Sequence, residues 1–161
     1  VSCDSLFLSA VSQGHEIKSR AESTRIERSV IASLGGDDSR LLDISDGGEL
    51  IVRDSILEEG PATANNDVIG FALERQGHSS QRIVLTHNII LLDGPRRARL
   101  IHRRGSTPAP TMTDNLIVGK TDTQYPGANR SANSRSAARL PPYPALPPLP
   151  GTGGYHDPGS L

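Results

Sequence analysis

Aromatic residues make up only 3% of the 161-residue chain, and tryptophan is absent. A small core usually draws much of its buried area from aromatic side chains. Here a core must be made from Ile, Leu and Val, which suits a repetitive aliphatic stack. Cysteine is nearly missing too. Cys3 has no second cysteine to pair with, which excludes an intrachain disulfide and fits a reducing compartment. Long apolar runs are lacking, so no membrane span is expected. Net charge is close to nil, at -1. Nucleic acid is therefore not expected as the partner, because phosphate binding needs a basic surface.

What the chain does have is a repeat. The stretches "CDSLFLS", "IERSVIAS", "VRDSILEE", "LTHNIILL" and "MTDNLIVG" each place a Ser or Asn before two apolar residues. These anchors are Ser5, Ser29, Ser55, Asn88 and Asn115, at spacings of 24, 26, 33 and 27 residues. A recurring period of this size marks a solenoid. A second apolar burst follows each of the first four anchors, and Ile17, Leu42, Ile69 and Leu100 are taken as its equivalent positions. The bursts are too short for helices and rich in Ile, Leu and Val. Gly and Asp/Asn punctuate them in "GGDDS", "DGGE" and "LDGP". These are strand and turn signals. "SRAESTRIERSVIASL" has several helix formers, but its "TRIERSVIAS" falls into the register of the other anchors.

The expected fold is all-β: a right-handed parallel β-helix over residues 1–119. Each coil lays two or three short strands, stacked about 4.8 Å apart. Leu6, Ile31, Ile56, Ile89 and Leu116 are expected in matching regions. The Ser/Asn anchors suit the bends, where a buried polar side chain bonds the backbone of the next coil. A leucine-rich repeat is the competing fold, but its L-x-x-L-x-L-x-x-N pattern is missing.

Composition changes after Gly119. Eight of the 12 prolines lie beyond residue 120, and the Ser/Arg-rich "NRSANSRSAARL" precedes "PPYPALPPLPGTGG". Residues 120–161 are expected to be disordered or polyproline II. Three readings stay open for them: a free tail, a ligand for a domain that reads proline-rich segments, and the product of a GC-rich gene read out of frame. Asn129 in "NRS" also matches a glycosylation acceptor.

Residues 1–119 resemble the bacterial right-handed parallel β-helix repeat proteins of the pectate lyase-like superfamily. In particular they resemble an uncharacterised proteobacterial group. The resemblance rests on "GHEIKSRA" (Gly14–Ala21), the Gly47-Gly48 turn, "LIVRDSILEEGP" and "NNDVIGFALE". Ser55 stands where the group usually has Asn, and Asn66-Asp67 replaces Asn-Pro. The resemblance implies more N-terminal coils, so the chain is expected to be a piece of a longer solenoid. It also implies an extracellular or periplasmic location and a polysaccharide partner, often anionic. Fold alone does not fix function.

In "GHEIKSRA", Glu16, Lys18 and Arg20 alternate with His15, Ile17 and Ser19. Alignment of the second bursts puts Lys18 beside Asp43, and Glu16 in the column of Leu41, Val68 and Arg99. In the structural reading, Lys18 and Asp43 form an exposed pair contributing about 0–1 kcal/mol. In the functional reading, Lys18 and Arg20 face a groove and hold a uronate carboxylate. One of them then abstracts or donates a proton in β-elimination, which needs a cation and a tuned base. His15 is a second base candidate, though alternation places it with Ile17. Arg97 and Arg99 in "GPRRARLIHRR" could extend the grip on an anionic polymer. The expected ligand-binding set is thus Glu16, Lys18, Arg20, Asp43, Arg97 and Arg99, with Lys18 and Arg20 catalytic only in a lyase. No cofactor is expected. Asp37, Asp38, Asp46, Glu49 and their neighbours lack Ca²⁺-loop spacing, which leaves a weak Ca²⁺ site as the single exception.

Overall fold

Period-two alternation in short β-branched runs, broken by Gly and Asp, produces strands throughout the described residues. The computed structural model describes residues 1–9, 13–121 and 130–132. In chain order the strands are β1 (Ser2–Asp4), β2 (Phe7–Ser9), β3 (His15–Ser19), β4 (Ser23–Glu27), β5 (Val30–Ala32), β6 (Arg40–Ile44), β7 (Glu49–Arg53), β8 (Ile56–Glu59), β9 (Asp67–Phe71), β10 (Arg82–Thr86), β11 (Ile89–Leu92), β12 (Arg99–Arg103), β13 (Thr111–Thr113), β14 (Leu116–Gly119) and β15 (Arg130–Ala132). Among the described residues there is no helix.

The strands form three parallel sheets. Sheet 1 runs β1-β4-β7-β10-β13, sheet 2 runs β2-β5-β8-β11-β14-β15, and sheet 3 runs β3-β6-β9-β12. Each full coil lays one strand in each sheet, so the architecture is a parallel β-helix. Ile26, Val52, Leu85 and Met112 stack in one inward column of sheet 1, and Ile31, Leu57, Ile90 and Ile117 in one of sheet 2. Ile26, Val52, Leu85, Ile31, Leu57 and Ile90 are fully buried. Burying each such side chain stabilises by roughly 1.5–3 kcal/mol. An aliphatic ladder therefore takes the place of the missing aromatics.

The corner between sheets 1 and 2 shows why Ser and Asn recur. The side chain at each anchor accepts a hydrogen bond from the backbone of the preceding coil. Ser29 Oγ accepts from Leu6 N at 3.2 Å, and Ser55 Oγ from Ser29 N at 3.1 Å. Asn88 Oδ1 accepts from Ser55 N at 3.1 Å, and Asn115 Oδ1 from Asn88 N at 3.0 Å. The residue before each anchor turns the chain with a positive φ: Arg28 (46°), Asp54 (52°), His87 (55°) and Asp114 (55°).

In the first coil the anchor is Leu6, not Ser5. Phe7 pairs with Val30, so Leu6 lies opposite Ser29, and Ser5 takes the turn position at φ 54°. The stacked column after the anchor is Phe7, Val30, Ile56, Ile89 and Leu116, so Ile31 lies one place further on than expected. In sheet 3, Ile17, Leu42 and Ile69 stack as expected, but Ile101 and not Leu100 completes the column. Arg99 consequently leaves Glu16's column and lies opposite Asp67.

The Gly47-Gly48 turn is a steric requirement. Gly48 has φ 100°, and a Cβ there would lie 2.4 Å from the Glu22 carbonyl oxygen. Strand pairing also continues past the boundary expected at residue 119, because β15 pairs with β14 with Leu116 opposite Arg130. Residues 122–129, with Asn129, and 133–161 lie outside the described residues, so the expected disorder there does too.

Candidate functional site

The register of β3 and β6 puts Lys18 opposite Asp43, as the spacing predicts. Lys18 Nζ lies 3.3 Å from Asp43 Oδ2. The structure adds a partner that the repeat does not reveal. Lys18 Nζ also donates to Glu74 Oε1 at 2.8 Å, and Arg20 donates to the other oxygen of the same carboxylate. Arg20 Nη1 further donates to Asp46 Oδ1 at 2.7 Å, and Arg75 Nη2 to Asp46 Oδ2 at 2.6 Å. Three cations and three carboxylates thus alternate along one surface.

Glu74 and Arg75 come from residues 72–81, the connection between β9 and β10. This connection accounts for the long spacing of 33 residues between Ser55 and Asn88. It folds back over earlier coils: Glu74 N donates to Ser45 O, Gly77 N to Asp46 O, and the His78 ring lies 3.0 Å from the Arg20 carbonyl oxygen. The uneven period was the available signal for this loop, but it gave no indication of where the loop lands.

Charge states follow from these contacts. The hydrogen bonds that Lys18 makes to Glu74 and Asp43 hold its ammonium above its usual range. The Glu74 carboxyl is held below its usual range by hydrogen bonds from Lys18 and Arg20. Asp46 is lowered chiefly by Arg75 and also by Arg20. His15 is lowered by burial, opposed by Asp43, whose Oδ2 lies 3.1 Å from His15 Nε2.

Arg99 belongs elsewhere. Its Nε donates to Asp67 Oδ1 at 2.7 Å. His102 Nδ1 lies 2.6 Å from Asp67 Oδ2, and Arg40 Nη2 donates to that oxygen at 3.3 Å. Burial acts to raise the Asp67 carboxyl, but Arg99 and His102 outweigh it and leave it lowered. β12 and β3 sit at opposite ends of sheet 3, three strand spacings or about 14 Å apart. Lys18 and Arg99 therefore do not grip one ligand group.

Arg97 Nη1 donates to the Thr121 carbonyl oxygen at 3.0 Å, and Arg104 donates to the carbonyls of Ala72, Leu73 and Glu74. Much of the arginine cluster thus ties coil to coil. Glu16 is buried, in line with Leu41 and Val68. Among the described residues, no three His, Cys, Asp or Glu converge as metal ligands, and no helix is long and apolar enough to cross a membrane.

A second buried acidic group was not read from the sequence. Asp38 and Glu59 are almost fully buried, with the Ser33 hydroxyl beside the first carboxyl and the Thr63 hydroxyl beside the second. Burial first, and then the charge of Asp38, push the Glu59 carboxyl up to about 8. Asp38 is raised by burial as well.

Fold and site together define the class: an all-β parallel solenoid with a charge-paired patch built by one long inter-coil loop. Compared with known proteins, the chain matches no family model, no curated protein and no solved structure.

Proposed function

We propose that this chain is a carbohydrate-interacting structural or binding β-solenoid rather than an active enzyme, and that Lys18 and Arg20 hold a carboxylate of an anionic polysaccharide. The coils are read as right-handed, as nearly all parallel crossovers are. The observation that carries the proposal is the position of Glu74. Its carboxylate bridges Lys18 and Arg20 while its side chain stays 44% exposed. It is a carboxylate from the chain's own loop, in the place where a uronate carboxylate would bind. An exposed pair of this kind contributes little and exchanges easily.

Binding then requires the ligand to displace Glu74. Glu74→Gln is expected to raise affinity for polygalacturonate by roughly threefold to tenfold, since it removes a weak exposed competitor. Lys18→Ala is expected to abolish most of that binding. Raised salt should weaken it, because exposed charges are screened over roughly 8–10 Å at physiological ionic strength. Titration calorimetry with wild type and both variants decides the matter. No heat from wild type or Glu74→Gln would reduce the patch to a structural ladder.

The alternative is a lyase-like β-elimination with Lys18 or Arg20 as base. It asks for a cation that gives up its proton near neutral pH. Lys18 and Arg20 are both shifted the other way by Glu74. Unsaturated-uronate absorbance growing with time would favour the enzyme over the binding module. A Lys18→Ala and Asp43→Ala double-mutant cycle separates the roles further. A small coupling in stability with a large loss of ligand affinity is expected. Strong coupling in stability with no ligand effect would identify a purely structural pair.

A further inference from the structure

The connection 72–81, which lays Glu74 over the patch, is held from two sides. On the side of the preceding coil it meets the turn after β6. Ala72 N donates to Ile44 O and Gly77 N to Asp46 O, both at 2.8 Å. Between them, Glu74 N and Arg75 N share the single acceptor Ser45 O, at 3.2 and 3.3 Å. Both distances are at or beyond the long end for an amide–carbonyl bond, so this side grips Glu74 weakly.

On the side of the following coil it meets Arg104, the residue after β12. Arg104 Nε donates to Ala72 O at 2.9 Å, and its Nη2 donates to Leu73 O at 3.1 Å and to Glu74 O at 3.0 Å. One planar guanidinium thus collects three consecutive carbonyls, an arrangement that the compact ammonium of lysine does not reproduce. Hydrogen bonds from a charged donor are roughly twice as strong as neutral ones. The fork is itself seated. Arg104 N donates to Phe71 O at 3.2 Å, and Arg104 O accepts from Thr107 N at 2.9 Å and from Thr107 Oγ1 at 2.6 Å. Ser106 Oγ adds a bond to Gln76 Oε1 at 3.1 Å. The Glu74 carbonyl is therefore fixed by Arg104, while its carboxylate reaches away to Lys18 and Arg20.

We propose that Arg104 is the positioning residue that holds Glu74 over Lys18 and Arg20, so that a side chain at one end of sheet 3 sets how readily the cation pair at the other end accepts an external carboxylate. The proposal rests on the reading of that pair as a carboxylate site, and it gives the built-in competitor a latch. Without the fork, the three carbonyls turn to water and residues 72–74 gain backbone freedom. Glu74 then spends less time bridging Lys18 and Arg20. β12 and β3 lie about 14 Å apart, so Arg104 acts through the connection and not by touching the group that Lys18 holds.

The test uses the full chain with Arg104→Ala and Arg104→Lys. The first readout is the NMR titration of the Glu74 side-chain carboxyl. That group faces Lys18 and Arg20, with Arg75 on its own loop, and Asp43 and Asp46 share these cations. In the wild type it titrates below the ordinary 4.5. The expected result is a rise towards 4.5 in both variants. The lysine variant keeps the charge, so a rise there reports position rather than the loss of a nearby cation. The second readout is polygalacturonate affinity by calorimetry. Both variants should bind roughly twofold to threefold more tightly, since a weak exposed competitor is loosened. Adding Arg104→Ala to Glu74→Gln should bring no further gain, because the competitor is already gone. A Glu74 titration that stays in place in both variants overturns the proposal, even where the urea midpoint falls, since that is the mark of a purely structural tie. A titration that moves only in Arg104→Ala overturns it too, as does a fully additive gain in the double variant. Absence of polygalacturonate binding to wild type and Glu74→Gln overturns the carbohydrate reading instead, and the Glu74 titration then decides the latch by itself.

Discussion

Asn88→Ala is expected to lower the unfolding free energy by about 3 kcal/mol, read as a fall in the urea midpoint at unchanged slope. The Asn88 side chain is nearly inaccessible and makes three hydrogen bonds at the corner between sheets 1 and 2. Its Oδ1 accepts from Ser55 N at 3.1 Å, and its Nδ2 donates to Val52 O and to Asn115 Oδ1, both at 3.0 Å. Alanine leaves a buried amide and carbonyls without those partners, and each orphaned group costs about 1–3 kcal/mol. Asn88→Ser should be milder. Ser55 already fills the equivalent corner, accepting from Ser29 N and donating to the Arg53 carbonyl at 2.7 Å. Conversely, Ser55→Asn should be tolerated, because the corner accepts Asn at positions 88 and 115. An Asn88→Ala midpoint indistinguishable from wild type would show that the corner ladder contributes nothing to stability.

Glu59→Gln is expected to stabilise the protein at pH 8 and to leave it nearly unchanged at pH 4. Glu59 is buried, and burial above all pushes its pKa up to about 8 from an ordinary value of 4.5. Between these values the unfolded chain releases the proton while the folded chain retains it. Unfolding is therefore favoured progressively as pH rises from 4.5 towards 8. Below 4.5 both states are protonated, and above about 8 both are ionised, so the contribution levels off at each end. A shift of this size corresponds to roughly 3–5 kcal/mol across the window. The carboxylates of Glu27, Asp46 and Glu74 are lowered by their cation partners and act in the opposite sense, losing stability as the medium is acidified. The difference between wild type and Glu59→Gln at each pH isolates the one residue. Parallel stability curves for the two proteins from pH 4 to 9 would mean that Glu59 ionises freely in the fold.

Particular residues show how far the sequence could be read. The Ser/Asn anchors were legible because a corner repeated in every coil imposes one chemical demand, a buried acceptor for the preceding coil's backbone. The pair Lys18–Asp43 was legible because parallel stacking turns a repeat spacing into a spatial neighbour. Leu6 and Leu100 were each placed in a column that the next residue fills, Phe7 and Ile101, for the same reason in reverse. "SLFL" and "ARLIHRR" each offer adjacent apolar residues, and nothing local decides which one enters the column. That single step moved Arg99 from Glu16 to Asp67.

The sequence by itself determined the class of fold: short β-branched runs, glycine turns and a period in the twenties to thirties leave a parallel stack as the arrangement that buries an aliphatic core without aromatics. Tertiary structure alone decided the site. Glu74 is 56 residues from Lys18 in sequence and sits in a loop outside the repeat, so no periodicity could bring the two together. Glu59 sits at the end of a strand that reads like an exposed acidic rim. Its burial, and hence its raised pKa, depends on neighbouring coils and loops closing over it. Local pattern records what each coil must do on its own, whereas the patch charges and buried acids depend on where irregular loops cross coils they do not follow in sequence.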